Sequence, residues 1–154
     1  MRGDQGGFTL TELVVVIGII GILAAMVITG VAAARMRAAI ARTKALVTKV
    51  DLVVVQYESY WGDYPAGSGG VASSEGLYAA LTSTDWPGTH EFDATEVADT
   101  NGNGRKEIVD YWGRPLSYYH HRSYQGAPRA TSFRIVSSGP DEKEGTEDDV
   151  TNWN

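Results

Sequence analysis

Three groups of residues in this 154-residue chain have types and spacing that could do chemistry. The first is a single carboxylate, Glu12, at the head of an apolar run from Leu13 to Ala34. A charged side chain at the centre of a bilayer costs about 2.5–3.5 kcal/mol on insertion scales, so Glu12 needs a partner there. The second is the stretch from Asp99 to Asp110, with oxygen donors at Asp99, Asn101 and Asn103, glycine at Gly104 and a carboxylate at Asp110. Those are positions 1, 3, 5, 6 and 12 of a calcium-binding loop, with Asp110 where glutamate is usual. An Asn-Gly turn, which needs positive φ, would use the same glycines and is the alternative reading. The third is the tail from Ser137 to Val150, dense in acids from Asp141 to Asp149. Such a run repels itself unless solvated or bound to a cation, and hard oxygen donors without histidine or cysteine favour calcium over transition metals.

Other candidate chemistry falls away. There is no cysteine, hence no disulfide framework and no thiolate nucleophile or thiolate metal site. No Gly-x-Ser-x-Gly elbow is present, and His90-Glu91 lacks the second histidine of a zinc-protease helix. His120 and His121 are consecutive, so on a strand they are expected to face opposite sides and not to chelate one metal together. Gly67-Ser68-Gly69-Gly70 lacks the preceding strand and following Lys-Ser/Thr of a phosphate loop and reads as a flexible loop. A pair of acidic-loop carboxylates could act on a glycan, but nothing marks a substrate groove. No enzyme activity is expected.

The elements that position these groups follow from the pattern. Apart from Glu12, everything from Phe8 to Ala34 is apolar, small or hydroxylated, enough to span roughly 30 Å of hydrocarbon as a helix. Beyond it, Met36, Ile40, Leu46, Val47, Val50, Val53, Val54 and Tyr57 recur near 3.6-residue spacing, and no proline interrupts Phe8 to Tyr57. One helix of up to about 50 residues is expected, its first half in lipid and its second half laid on a globular domain. Gly30 is its weak point, costing about 1 kcal/mol relative to alanine. Gly62 and Pro65 end the helix, Glu75 to Leu81 forms a short one, and Trp86-Pro87-Gly88 marks a turn. Leu116 to His120 and Thr131 to Ser137 alternate as two antiparallel strands. The expected class is α+β, a long N-terminal helix on a small antiparallel sheet.

Charge is unevenly placed. Residues 35–57 carry five bases against one acid, whereas residues 58–154 carry sixteen acids against seven bases. An acidic globular part argues against nucleic acid as a partner. The basic stretch beside the span suits lipid headgroups or a neighbouring subunit's acids. By charge alone the basic flank from Arg35 to Lys44 would stay cytoplasmic, in conflict with the leader described next.

Residues 1–7 are short and polar and end in Gly6-Gly7, so a processing point at Gly7-Phe8 would leave the apolar run on the mature protein. With GFTLTELVVVIGIIGILAAMV this closely resembles the leader and helix start of type IV pilin-like proteins. The turn Trp61-Gly62-Asp63-Tyr64-Pro65, the helix beginning Glu75-Gly76-Leu77, the strand entry Trp112-Gly113-Arg114-Pro115 and the acidic tail resemble, within that family, the major pseudopilins of type II secretion systems. The resemblance implies a leader at 1–7, a transmembrane and assembly segment at 8–34 and a soluble domain at 35–154. It implies cleavage after Gly7, methylation of the new amino terminus at Phe8, and Glu12 as the assembly carboxylate. It further implies calcium held in the tail by Asp141 and by Asp148, Asp149 or both, with a carbonyl such as that of Ser138.

The physical role of Glu12 can be argued separately. Cleavage leaves an amine at Phe8 in or near hydrocarbon, where an unpaired charge is costly. Glu12 lies four residues on, on the same helical face, and could pair with that amine or with an adjacent subunit's, fixing register. The function so implied is a subunit of a periplasmic filament, held in the bacterial inner membrane by a single pass. Its partners would be further copies of itself, minor pseudopilins, a prepilin peptidase, an inner-membrane assembly platform and membrane lipid. The alternatives are a type IV pilin of a surface fibre and a membrane-anchored calcium-binding module that never polymerises. Residues 82–109 match little of the resemblance.

Overall fold

The computed structural model describes residues 8–123 and 133–153. Its dominant element is helix α1, Leu10–Trp61. The chain divides into two compact units, one ending at Ala38 and the other starting at Ala39, so α1 contributes to both.

In the first unit α1 is a bare apolar helix. The side chains described between Phe8 and Ala38 are all exposed, including Leu13, Val14, Ile17, Ile20 and Leu23. A helix this long and apolar can cross a membrane by length and composition. Helical structure continues through Gly30.

In the second unit the 3.6-residue period becomes a buried stripe. Ala39, Thr43, Leu46, Val47, Val50, Val53 and Val54 are buried, and Ile40 and Tyr57 are partly so. Met36, expected on this stripe, is 43 % exposed and belongs to the first unit. Val53-Val54-Val55 stays helical although β-branched residues are stiff at χ1, because two of the three are core. Helix α1 ends where Gly62 turns to φ 78° and its N–H reaches Glu58 O at 2.7 Å.

Helix α2, Gly70–Thr82, gives Leu77 and Leu81 to the same core and packs on strands β2 and β3. Two antiparallel sheets complete the unit. Strands β1 (Val97–Ala98) and β2 (Glu107–Ile108) form a hairpin with Val97 opposite Ile108. Strands β3 (Ser117–Tyr119), β4 (Arg134–Ser137) and β5 (Val150–Thr151) lie in the order β3-β4-β5, with Tyr118 opposite Ile135 and Val136 opposite Thr151. Trp86, Ile108, Leu116, Tyr118, Phe133, Ile135 and Val150 close the core. Burying each such side chain contributes about 1.5–3 kcal/mol.

Three further details differ from the sequence expectation. Helix α2 starts five residues earlier than expected, at Gly70. The Gly67–Gly70 stretch is no free loop: Ser68 bridges Tyr119, Gly69 N–H donates to Tyr118 O at 2.8 Å, and His120 N–H donates to Gly67 O at 2.9 Å. A Cβ on Gly67 would fall 2.3 Å from the Tyr118 ring and one on Gly69 2.2 Å from the Tyr119 ring, so the glycines allow close approach. Finally, the strand ends at Tyr119 and His121 opens a short 3-10 turn, so the two histidines do not alternate across a sheet.

Candidate functional site

The helix start at Glu12 is a capping box, set by the sequence Thr9-Leu10-Thr11-Glu12. Thr9 precedes the first helical residue, and the Glu12 N–H donates to its hydroxyl at 3.3 Å. In return Glu12 Oε2 accepts the Thr9 N–H at 2.9 Å and the Thr9 hydroxyl at 2.7 Å. Two otherwise orphaned donors are satisfied, and the carboxylate gains two partners within its own chain. Phe8, Thr11, Val15 and Val16 line a shallow apolar cleft with Glu12. Phe8 itself is 82 % exposed. Gly7, the other half of the expected cleavage point, lies outside the described residues.

The tail is a folded loop whose oxygens point at its own backbone and hydroxyls. Asp148 Oδ2 accepts the Asp141 N–H at 3.0 Å, and Asp148 Oδ1 accepts the Thr146 hydroxyl. Thr146 also reaches Asp141 Oδ1, at 3.3 Å, and Asp149 Oδ2 accepts the Gly145 N–H at 2.7 Å. The Thr146 hydrogen bond, ahead of the backbone ones, holds the Asp148 carboxyl below its ordinary value. Asp149 Oδ1 is buried and has no hydrogen-bond partner among the described residues. At the loop's entry Ser138 is half-buried, and a Cβ on Gly139 would fall 2.2 Å from Asp148 O. Arg114 donates to Gly139 O and lies 3.7 Å from Glu142 Oε1, tying the loop to the chain before β3.

In the Asp99–Asp110 stretch the structure brings three of the four expected residues together. Asp99 accepts the N–H groups of Asn103 and Gly104, Asn101 Oδ1 accepts that of Asn103, and Asn103 Oδ1 accepts that of Arg105. Gly102 and Gly104 take φ of 71° and 81°, as the turn reading requires. Asp110 does not join them. It is buried, with Oδ1 accepting the Trp112 and Arg114 N–H groups and Oδ2 accepting the Ser137 hydroxyl at 2.7 Å. Its place beside the loop is taken by Glu75 of α2, whose Oε1 accepts Asn101 Nδ2 at 2.8 Å and Asn103 Nδ2 at 2.7 Å. These two amides hold the Glu75 carboxyl below its ordinary value. Sequence spacing could not find Glu75, because it comes from another element.

His120 and His121 stack with ring centroids 4.2 Å apart, and their donor atoms and an Asp63 oxygen lie within 4.8 Å of one another. This corrects the expectation that they face apart. His120 Nε2 is 3.1 Å from Asp63 Oδ1, while its Nδ1 accepts the Arg122 N–H, also at 3.1 Å. Both nitrogens of that ring therefore have protein partners, and the group clasps the end of α1 to the end of β3. The His120 hydrogen bond, with the Tyr64 N–H second, holds the Asp63 carboxyl low. Elsewhere Lys49 of the basic stretch pairs with Glu96 at 2.7 Å, and Arg42 lies over the Tyr111 ring.

A membrane-length helix opened by the Thr9–Glu12 capping box and followed by a small α+β domain is the architecture that the resemblance to pilin-like subunits implies. The Prokaryotic N-terminal methylation motif matches residues 2–34. Over nearly its whole length the chain is similar to the type II secretion system core protein G of Pseudomonas aeruginosa, with 31% identity covering 99% of this chain and 97% of that protein. It is 28% identical to the protein of the same name from Escherichia coli K12, covering 97% of this chain and 91% of the relative. The major pseudopilin from the type 2 secretion system of enterohaemorrhagic Escherichia coli has a similar solved structure, with a TM-score of 0.46 and 22% identity over 79% of this chain and 91% of that one. The chain belongs to the type II secretion system core protein G family.

Proposed function

We propose that this chain is a structural, non-enzymatic subunit that polymerises into the periplasmic pseudopilus of a type II secretion system. One observation carries the reading: similarity to core protein G runs over 99% of the chain. Cleavage at Gly7-Phe8 and methylation at Phe8 precede assembly, a step supported by the methylation motif at residues 2–34. Before assembly the subunit sits in the inner membrane by the apolar part of α1, with the domain from Ala39 in the periplasm. Its partners are other copies of itself, minor pseudopilins, the prepilin peptidase, the inner-membrane assembly platform and lipid.

Glu12 sets the register. In the isolated chain its charge is satisfied by Thr9. On assembly it exchanges part of that shell for the amine of Phe8 in a neighbouring subunit, so that two charges in an apolar medium neutralise each other. A subunit out of register leaves both uncompensated, which is a penalty against wrong packing.

Calcium belongs in the tail loop under this reading. The donor set is all oxygen, and the buried Asp149 Oδ1, without a hydrogen-bond partner among the described residues, fits a cation ligand. Asp141, Asp148 and Asp149, with the Ser138 carbonyl, would hold it. The ion would supply the positive charge that lets this acidic run stay folded.

The test is deletion of the gene in its native cell, with amino-terminal sequencing of the protein isolated from wild-type membranes. Loss of protein export and an N-methylated Phe8 start are expected. Intact export with loss of surface fibres, or an intact Met1, overturns the proposal.

A further inference from the structure

We propose that the β1–β2 hairpin loop and helix α2 form a second calcium site, distinct from the tail, with Asp99, Asn101, Asn103 and Glu75 as its side-chain donors. The four converge from two elements. The Asn101 and Asn103 Nδ2 groups donate to one Glu75 oxygen, at 2.8 and 2.7 Å, and would turn their Oδ1 atoms to an ion bound there, while Asp99 accepts the Asn103 and Gly104 N–H groups at 3.0 and 2.9 Å in the same loop. Glu75 is only 8 % exposed, so its charge is held at the loop, away from bulk water.

A second feature points independently to a cation. Glu107, in β2, is fully buried, and its Oε2 accepts the Thr100 N–H at 2.8 Å inside the same loop. Its Oε1 has no hydrogen-bond partner among the described residues. Buried carboxylate oxygens are expected to be hydrogen-bonded or bound to a metal, since leaving one bare is costly. Asp99 opens the loop, Glu107 closes it with a hydrogen bond to Thr100, and Glu75 reaches it from α2 through Asn101 and Asn103. Arg105 lies 3.7 Å from Glu75 Oε2 and is 76 % exposed, a weak and screened counter-charge.

The donor chemistry selects the ion. Carboxylate and amide oxygens without nitrogen or sulfur ligands suit calcium, and Gly104 at φ 81° supplies the sharp turn that such a loop needs at its sixth position. Glu75 replaces the twelfth-position acid of the template, because Asp110 is committed to Ser137 and to backbone N–H groups. Binding would staple the hairpin to α2.

The experiment is isothermal titration of the full-length, chelator-treated chain in detergent with calcium chloride alone. Asp99 is exposed, so Asp99→Ala spares the fold. Wild type should bind one ion more than Asp99→Ala, and Asp141→Ala should leave that ion in place. Glu75→Gln should weaken the same ion at least tenfold with unchanged helical circular dichroism. Asn103→Asp, which adds a charged ligand, should tighten it by about tenfold. Equal stoichiometry and affinity in wild type and Asp99→Ala overturn the site. So does an Asn103→Asp variant that binds no more tightly, since the amide would then serve only as a donor to Glu75.

Discussion

Glu12 Oε2 accepts two hydrogen bonds from Thr9, one from its backbone N–H at 2.9 Å and one from its hydroxyl at 2.7 Å. The residue expected to pair between subunits thus has a second occupation as the closing half of a helix cap. The two roles separate by substitution. Glu12→Gln keeps an acceptor at the third helical position and preserves the cap, while removing the charge. If charge pairing with a Phe8 amine sets register, Glu12→Gln inserts normally but assembles no better than Glu12→Leu, as read by the yield of filaments from membranes. Full assembly of Glu12→Gln would assign Glu12 to capping alone.

The clasp at the end of α1 makes stability depend on acid. The His120 hydrogen bond depresses the folded-state pKa of Asp63, so the stability it contributes is present above the ordinary carboxylate pKa and is lost as pH falls through the depressed one. Melting temperature should therefore fall less steeply in Asp63→Asn than in wild type between roughly pH 5 and pH 3. Parallel curves for the two proteins would show that the contact carries no linked stability.

Three glycines should behave oppositely for stated reasons. Gly69→Ala places a methyl into the Tyr119 ring at a φ of 90°, and a strained backbone alone costs about 1–3 kcal/mol. Gly67→Ala meets the Tyr118 ring and should also destabilise. Gly76 lies within α2 with nothing nearer to an added Cβ than Ala66 O at 3.9 Å, so Gly76→Ala should stabilise by roughly 0.5–1 kcal/mol. Chemical denaturation of the three variants reads all of this at once.

Calcium in the tail has its own signature. Thermal unfolding of wild type should shift upward with calcium relative to chelator, and Asp141→Ala should reduce the shift. An identical midpoint in calcium and chelator, with Asp141→Ala equally silent, removes the tail site.

The long helix was readable because its code is periodic: Leu46, Val47, Val50, Val53 and Val54 need only be counted to be placed on one face. The pair β3–β4 was legible for the same reason, through alternation. Strands β1, β2 and β5 have two residues each and are too short to show any period. Residues Gly67 to Gly70 looked like slack chain because composition cannot distinguish a glycine needed for freedom from one needed for contact with Tyr118 or Tyr119. The loop at Asp99 was legible as a template match, yet counting positions could not reveal that Asp110 turns to Ser137 while Glu75 arrives from α2. His120 and His121 escape the alternation rule because the strand ends at Tyr119 and a 3-10 turn begins at His121. The capping box at Thr9 and Glu12 is legible as Thr-x-x-Glu ahead of an apolar run, and it stands beside the membrane-length helix.

Polymerisation is the central claim, and cross-linking in intact membranes tests it most directly. Cells expressing this chain with its secretion system should yield a regular ladder of multimers from wild type. Glu12→Leu should give monomer only, at an equal level in the membrane fraction. Monomer alone from wild type, or an undiminished ladder from Glu12→Leu, would contradict the account.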